Sequence, residues 1–290
     1  MRITHSLVGL SFGLFAALGA TRPVAAQVPA DSIARFVARA REATRRFQDR
    51  AAAIEAGYRR IGPDFPGMGE HWISIGLLFR ASFDAAHPAV LEYIDSAGTP
   101  RLVGVAYVLP LLPGESPPEF PARHAWHSHT RSVDEESAII AQMSSAHGDD
   151  DASRLAMLHA WIWLDGADSI FVADNWELPF LRLGMEPPRG VIPPAAARAL
   201  SLAAGGDAFY KWIYERALSS ATDSAAITLA VDDARREVEA LLAGRDGALG
   251  SKIRPDELRA LACIWAALWE RLERELPAES YRALSEMQHR

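Results

Sequence analysis

Cysteine is almost missing from this 290-residue chain. Cys263 stands alone, so no internal disulfide can form. It lies in the apolar run Leu261-Ala262-Cys263-Ile264-Trp265, which predicts a buried, inert thiol. A chain of this length can rely on a hydrophobic core alone. Lysine is nearly as scarce, occurring only at 211 and 252. Arginine carries the remaining positive charge, a bias that fits base composition of the source better than any chemistry. Excess positive charge is missing too. The formal balance is −7, which argues against nucleic-acid binding. Beyond residue 26 no stretch of about 18 apolar residues occurs, so nothing there is long enough to span a membrane. Three catalytic or cofactor signatures are also absent. There is no Gly-x-Ser-x-Gly elbow, no glycine-rich phosphate loop and no Cys-x-x-Cys-His haem site.

What is present begins with an export signal. Met1-Arg2 is a short basic start, Leu7 to Ala20 is mostly apolar, and Pro23-Val24-Ala25-Ala26 ends in small residues. This is the pattern of a secretory signal peptide over 1–26, with cleavage between Ala26 and Gln27. It predicts an exported protein, periplasmic or extracellular. The segment holds Arg2 and Arg22 and no acid, so its loss shifts the charge from −7 to about −9. About 264 residues remain, enough for one large domain or two ordinary ones.

The expected fold class is α+β. An N-terminal helix packs on a small, mainly antiparallel sheet, and an all-helical C-terminal part follows. Ile33, Phe36, Val37, Ala40, Ala43, Phe47, Ala51, Ile54 and Tyr58 recur at helical spacing and predict one helix over 30–61, ended by Gly62-Pro63. Phe65-Pro66-Gly67-Met68-Gly69-Glu70-His71-Trp72 then reads as a loop, and 72–79 as a strand or a short helical turn. Asp95-Ser96-Ala97-Gly98 reads as the turn of a hairpin. Leu102 to Leu109 is apolar or small on both faces and predicts a central strand. A proline-rich loop covers 110–121. A loop or strand with three histidines covers 124–130, a helix 134–145, a strand 154–164 and a short strand 170–173. The composition changes at Pro187-Pro188-Arg189-Gly190, after which helices are expected over 195–204, 207–219, 223–242, 255–276 and 279–289. These patterns divide the chain into a signal peptide at 1–26, a histidine-rich α+β domain at 27–186 and a helical region at 195–290.

The histidines carry the candidate chemistry. His127-Ser128-His129 puts two imidazoles on one face of a strand, with β-carbons about 6–7 Å apart, so both can reach one cation. Zinc, iron, manganese and copper accept such donors. His159 stands in an apolar strand between Leu158 and Trp161, where it needs a hydrogen-bond or metal partner. His71 follows Glu70, a carboxylate that could orient a ligand, bind the ion or act as a base. A reverse-zincin motif would need histidine at 67, where Gly67 stands. The cupin spacing fails because its acids fall past the edge. Met68 beside His71 would suit copper but reads as a packing residue. The tryptophans at 72, 126, 161, 163 and 176 read as core rather than a sugar platform.

Four ordered motifs also resemble a known pattern. They are Met68-Gly69-Glu70-His71-Trp72, Pro88-x-Val90-Leu91-x-Tyr93, Arg101-Leu102-Val103-Gly104-Val105-Ala106-Tyr107-Val108 and Leu158-His159-Ala160-Trp161-Ile162-Trp163. Together with Ala56-Gly57-Tyr58 they resemble a widespread set of exported bacterial proteins of uncharacterised activity. Those proteins show Met-Gly-x-His, a Leu-Val-Gly-Val-Glu-Tyr strand and a Leu-His-x-Trp strand leading to Asn-Pro-x-Gly-x-Phe. The resemblance covers about residues 50–178. It implies that His71 and His159 share one core, and it implies no reaction. Two departures stand out: Ala106 takes the acidic position of the strand, and Asp165 to Phe171 replace the last turn.

The expected function is therefore an exported protein that binds a divalent transition metal (zinc, iron or copper), with a metal-dependent reaction left open. His71, His127, His129 and His159 are the expected ligands. Glu70 is the expected base or ligand-orienting residue. The competing expectation is a non-catalytic envelope module that binds a protein or small ligand, with structural histidines and a contact surface on the C-terminal helices.

Overall fold

The computed structural model describes residues 30–80, 83–111, 114–129, 154–164, 170–188, 194–206, 221–245 and 251–288. The signal-peptide segment and the helices expected over 134–145 and 207–219 lie outside the described residues. The strands are β1 (Arg59–Phe65), β2 (Gly69–Ile73), β3 (Val90–Ser96), β4 (Thr99–Leu111), β5 (His127–His129), β6 (Arg154–Ala160), β7 (Met185–Glu186) and β8 (Ser251–Lys252). The helices are α1 (Ala30–Thr44), α2 (Arg50–Glu55), α3 (Ile75–Leu78), α4 (Leu178–Arg182), α5 (Pro194–Ser201), α6 (Ala221–Leu242), α7 (Pro255–Glu275) and α8 (Ala278–Gln288). The expected α+β class holds. A six-stranded sheet runs β1-β2-β3-β4-β6-β5 with every neighbour antiparallel, and the helices that close the chain follow it.

The single helix expected over 30–61 is broken. Thr44 turns its hydroxyl onto Ala40 O at 2.7 Å, a side-chain bond that competes with the helical ladder. A 3-10 turn follows over Arg45–Gln48. Asp49 then caps a new helix by accepting from Ala51 N at 2.9 Å. The apolar spacing survives the break because Phe36, Ala40, Phe47 and Ala53 all pack on the same sheet face.

The stretch expected to be a loop is a hairpin. β1 runs straight through Gly62-Pro63, where a register shift between Ile61 and Asp64 absorbs both residues. Gly62 takes φ 74 there, a conformation glycine adopts without cost. Proline is tolerated because β1 is an edge strand and the position is a bulge. The short strand expected over 170–173 does not form. Trp161 holds that segment instead, its backbone N donating to Ile170 O at 2.9 Å and its indole N–H to Val172 O at 2.7 Å.

The sheet is covered on both faces. On one, Leu91, Tyr93, Val105, Tyr107, Leu109 and Leu158 pack under α1 and α2. On the other lie two separate apolar clusters, one around Ile73, Val90, Val108 and Met157 and one around Ile94, Val103, Trp161 and Leu178. The closing helices make their own core, which also takes in Phe180 and Met185. β7 and β8 pair in parallel, and buried Arg182 reaches Asp64 on β1 at 2.6 and 2.5 Å. The Leu261–Trp265–Leu268–Leu272 stripe is buried in that core, so it offers no exposed apolar face. Cys263 is exposed, against expectation. It sits two residues from buried Leu261, about 200° around the helix, so the apolar run around it does not share one face. No helix among the described residues is long and apolar enough to cross a membrane.

The β3–β4 hairpin turns on Ala97-Gly98 between the paired residues Ser96 and Thr99. Both turn residues have positive φ, 50 for Ala97 and 83 for Gly98, as a two-residue hairpin of matching twist requires. Alanine is strained there and asparagine is not. Ala97→Asn is expected to stabilise the fold by about 0.5–1 kcal/mol. The check is a denaturant midpoint that rises while the slope of the transition stays fixed.

Candidate metal centre

Strand alternation decides which side chains meet. On β2, Gly69, His71 and Ile73 are buried, and Glu70 and Trp72 point to the other face. Glu70 is thus turned away from its sequence neighbour. It bonds Trp72 Nε1 at 3.0 Å and Arg60 at 2.8 Å, with Arg50 at 3.6 Å. It is not the carboxylate beside His71. That carboxylate is Glu92, the cross-strand partner of His71 on β3.

His71, Glu92 and His159 converge between the two apolar clusters of their face. On β3, Glu92 lies between Val90 and Ile94. On β6, His159 lies between Met157 and Trp161. The three residues are 2 %, 0 % and 1 % exposed. His159 Nδ1–H donates to Glu92 Oε1. His71 Nε2 stands 3.8 Å from the same oxygen, and the two imidazole centres are 5.8 Å apart. One donor atom from each residue lies within 4.8 Å of the others.

Glu92 has to cross a whole strand to do this, because β4 lies between β3 and β6. The row it crosses is Gly104 and Ala106, the partners of Glu92 and His159. A Cβ at Gly104 would stand 2.3 Å from Glu92 Oε2 and 2.8 Å from Trp161 Cε3. The missing side chain is the passage for the carboxylate. A register shift between Glu92 and Tyr93 sits at the same point, and such bulges re-aim side chains beside functional sites. Ala106 stands directly opposite His159. Here Glu92 brings a carboxylate to that histidine from the next strand.

Each imidazole is held by neighbouring rings. Phe65 lies 5.2 Å from the His71 centre. His159 is sandwiched between His127 at 4.9 Å and 17° and Trp161 at 5.8 Å and 18°. His127 therefore reaches the cluster from β5 as a stacking partner, with both ring nitrogens buried. His129 occupies the same strand at the register of Leu155. The side chains of His124 and His129, and all of His147, lie outside the described residues. Met68 packs on the Trp161 cluster, as a filling residue would.

Two imidazoles and one carboxylate are a donor set that could hold a metal ion. Bonds of about 2.0–2.2 Å place donors roughly 3.5 Å apart, so small side-chain shifts would close the set. The contact between His159 Nδ1 and Glu92 turns this edge of the ring toward the carboxylate, an arrangement that also satisfies a buried histidine without a metal. Fold and site together define an antiparallel α+β protein with a buried His–Glu–His centre on one sheet face. No family model, curated protein or solved structure matches the chain.

Sequence reading singled out His71 and His159 and missed Glu92. A signal existed in Val90-Leu91-Glu92-Tyr93-Ile94, where one acid interrupts a fully apolar strand and must find partners. Gly104→Ala is expected to destabilise the fold by about 1–3 kcal/mol through overpacking. In a double-mutant cycle with Glu92→Ala the two losses should fall short of additive, because removing the carboxylate opens the space the new methyl needs.

Proposed function

We propose that this chain is an exported protein that binds one divalent transition metal through His71, Glu92 and His159. The observation that supports the reading most is the convergence of two imidazoles and a carboxylate, nearly without solvent exposure, within 4.8 Å. Zinc or iron suits a nitrogen-and-oxygen set of this kind, and copper suits the imidazoles. Export rests on the signal-peptide pattern of residues 1–26.

A second reading has one observation in its favour. His159 already has a carboxylate partner in Glu92, which is what a structural core histidine requires. On that reading the chain is a non-catalytic envelope module whose His–Glu–His group serves the fold.

The two readings part on metal content. Protein purified without an affinity tag is expected to carry close to one equivalent of a transition metal by elemental analysis. The double variant His71→Ala, His159→Ala should lose it. Trace metal in the wild type, unchanged in the double variant, would leave the structural reading standing.

A further inference from the structure

We propose that a groove between α1 and the chain that precedes β3 binds a small amphiphilic monocarboxylate, with the carboxylate on Arg35 and Arg39 and the apolar body on Phe36, Phe83 and Phe120. The groove lies on the sheet face opposite the His–Glu–His centre, where these rings pack around Tyr107. Nothing in it depends on a bound metal.

The cavity there is open and holds about 500 Å³, within the range of pockets that take small organic ligands. Its floor is aromatic. Phe36 lies 5.6 Å from Phe83 and 5.0 Å from Phe120, and Phe83 lies 5.8 Å from Phe120. Phe36 is buried, while Phe83 and Phe120 are half-buried and keep ring surface toward the groove. The floor is also fixed in place. Phe36 and Phe83 rest on the Tyr107 ring at 5.3 and 5.2 Å, and the Tyr107 hydroxyl donates to Ala85 O at 2.9 Å. A wall set before the ligand arrives lowers the ordering cost of binding.

The rim is cationic. Arg35 and Arg39 are four residues apart on α1 and so share one side of the helix. Asp84 is the one carboxylate among the described lining residues, and it is already engaged. It lies 3.0 Å from Arg39 and 2.8 Å from His87 Nδ1, and it accepts from Ala86 N at 3.1 Å. Arg39 uses one nitrogen for that contact, and a guanidinium has five N–H donors. Arg35 is exposed and bonds Ser32 Oγ at 3.3 Å, with no carboxylate partner among the described contacts. Two cations and one anion leave the lining at +1, on a chain whose formal balance is −7. A concave site of one sign draws in the opposite charge. One carboxylate neutralises this site, and guanidinium groups match carboxylate geometry. A purely polar anion would leave the rings uncovered, and a neutral apolar ligand would leave Arg35 unanswered. The ligand therefore needs both parts.

The test is a calorimetric titration of the full, untagged chain after its metal has been removed by a chelator. The probes are 4-phenylbutyrate and octanoate, each beside its neutral amide. One equivalent of carboxylate is expected to bind, and the amide should bind at least about tenfold more weakly, because charge-assisted bonds carry the recognition. Tighter binding of phenylbutyrate assigns the site to aryl acids, and tighter binding of octanoate to alkyl acids. Either result supports the groove. Arg35→Gln changes an exposed residue, which the fold should tolerate, and Arg35→Lys serves as a second variant that keeps the charge but loses the fork. Arg35→Gln should weaken carboxylate binding about tenfold and leave amide binding within about twofold, a split that general unfolding would not produce. Three results would overturn the assignment: no saturable binding of either carboxylate, equal affinity for acid and amide, or a folded Arg35→Gln that binds as wild type does. Binding that appears only when metal is restored also overturns it, and moves the carboxylate to the His–Glu–His centre. The metal reading stands or falls separately, on elemental analysis.

Discussion

Glu92 holds a carboxylate with no exposure to water, and much of the sheet is arranged around that burden. An ion taken out of water costs several kcal/mol unless close partners compensate. Its partners come from strands on either side, His71 on β2 and His159 on β6. To reach His159 the side chain needs the gap left by Gly104, and the bulge beside Glu92 sets its direction. His159 in turn is kept in place by the rings of His127 and Trp161. Removing any one of these leaves the carboxylate buried and less well compensated, so the group stands or falls together.

The opposite face combines neutral hydrogen bonds with ion pairs, Glu70 pairing there with Arg60 and Arg50. Under α1 and α2 three buried phenols each find a backbone carbonyl. Tyr58 donates to Pro88 O at 2.8 Å, Tyr93 to Phe47 O at 2.5 Å and Tyr107 to Ala85 O at 2.9 Å. Burial pushes all three hydroxyls well above their ordinary pKa, so they remain neutral donors. These phenols tie helix and loop segments to the sheet through neutral hydrogen bonds. The other face concentrates its ionisable groups in one spot between two apolar clusters. One face secures the fold, and the other can therefore carry a costly cluster.

Much of this was legible in the residues, and what was not has physical causes. The class, the central strand Leu102–Leu109 and the closing helices follow from periodicity, which reports burial directly. The break at Arg45–Gln48 was hidden because both helical pieces face the same core, so the apolar spacing continues across it. Gly62 and Pro63 concealed β1, since an edge strand with a bulge tolerates residues that forbid an inner strand. His71 and His159 stood out as polar residues in apolar company. Glu70 drew attention by sequence adjacency, yet adjacency in a strand separates two side chains by the thickness of the sheet. Glu92 is 21 residues from His71 in the sequence and 67 from His159, and only the pairing of strands brings them together. The role of Gly104 was the least legible of all. It consists of space needed by another residue, and a single sequence does not record which residue needs it.

The order of the strands also decides how such a centre could be reached. Approach past Trp161 would disturb Ile94, Leu164 and Leu178, and approach past Met157 would disturb Val108 and Leu155. Uncovering buried side chains of this size costs about 1.5–3 kcal/mol each. The β1 edge is closer to His71, but Phe65 lies over that ring, and Arg182 binds both Asp64 and the carbonyl of Phe65. A bidentate guanidinium–carboxylate pair is among the stronger polar contacts a fold can make. The β5 edge has no comparable clamp among the described contacts and is joined to β6 by three residue pairs. The three converging residues sit on strands that are each paired on both sides, so the sheet holds them in place from either flank.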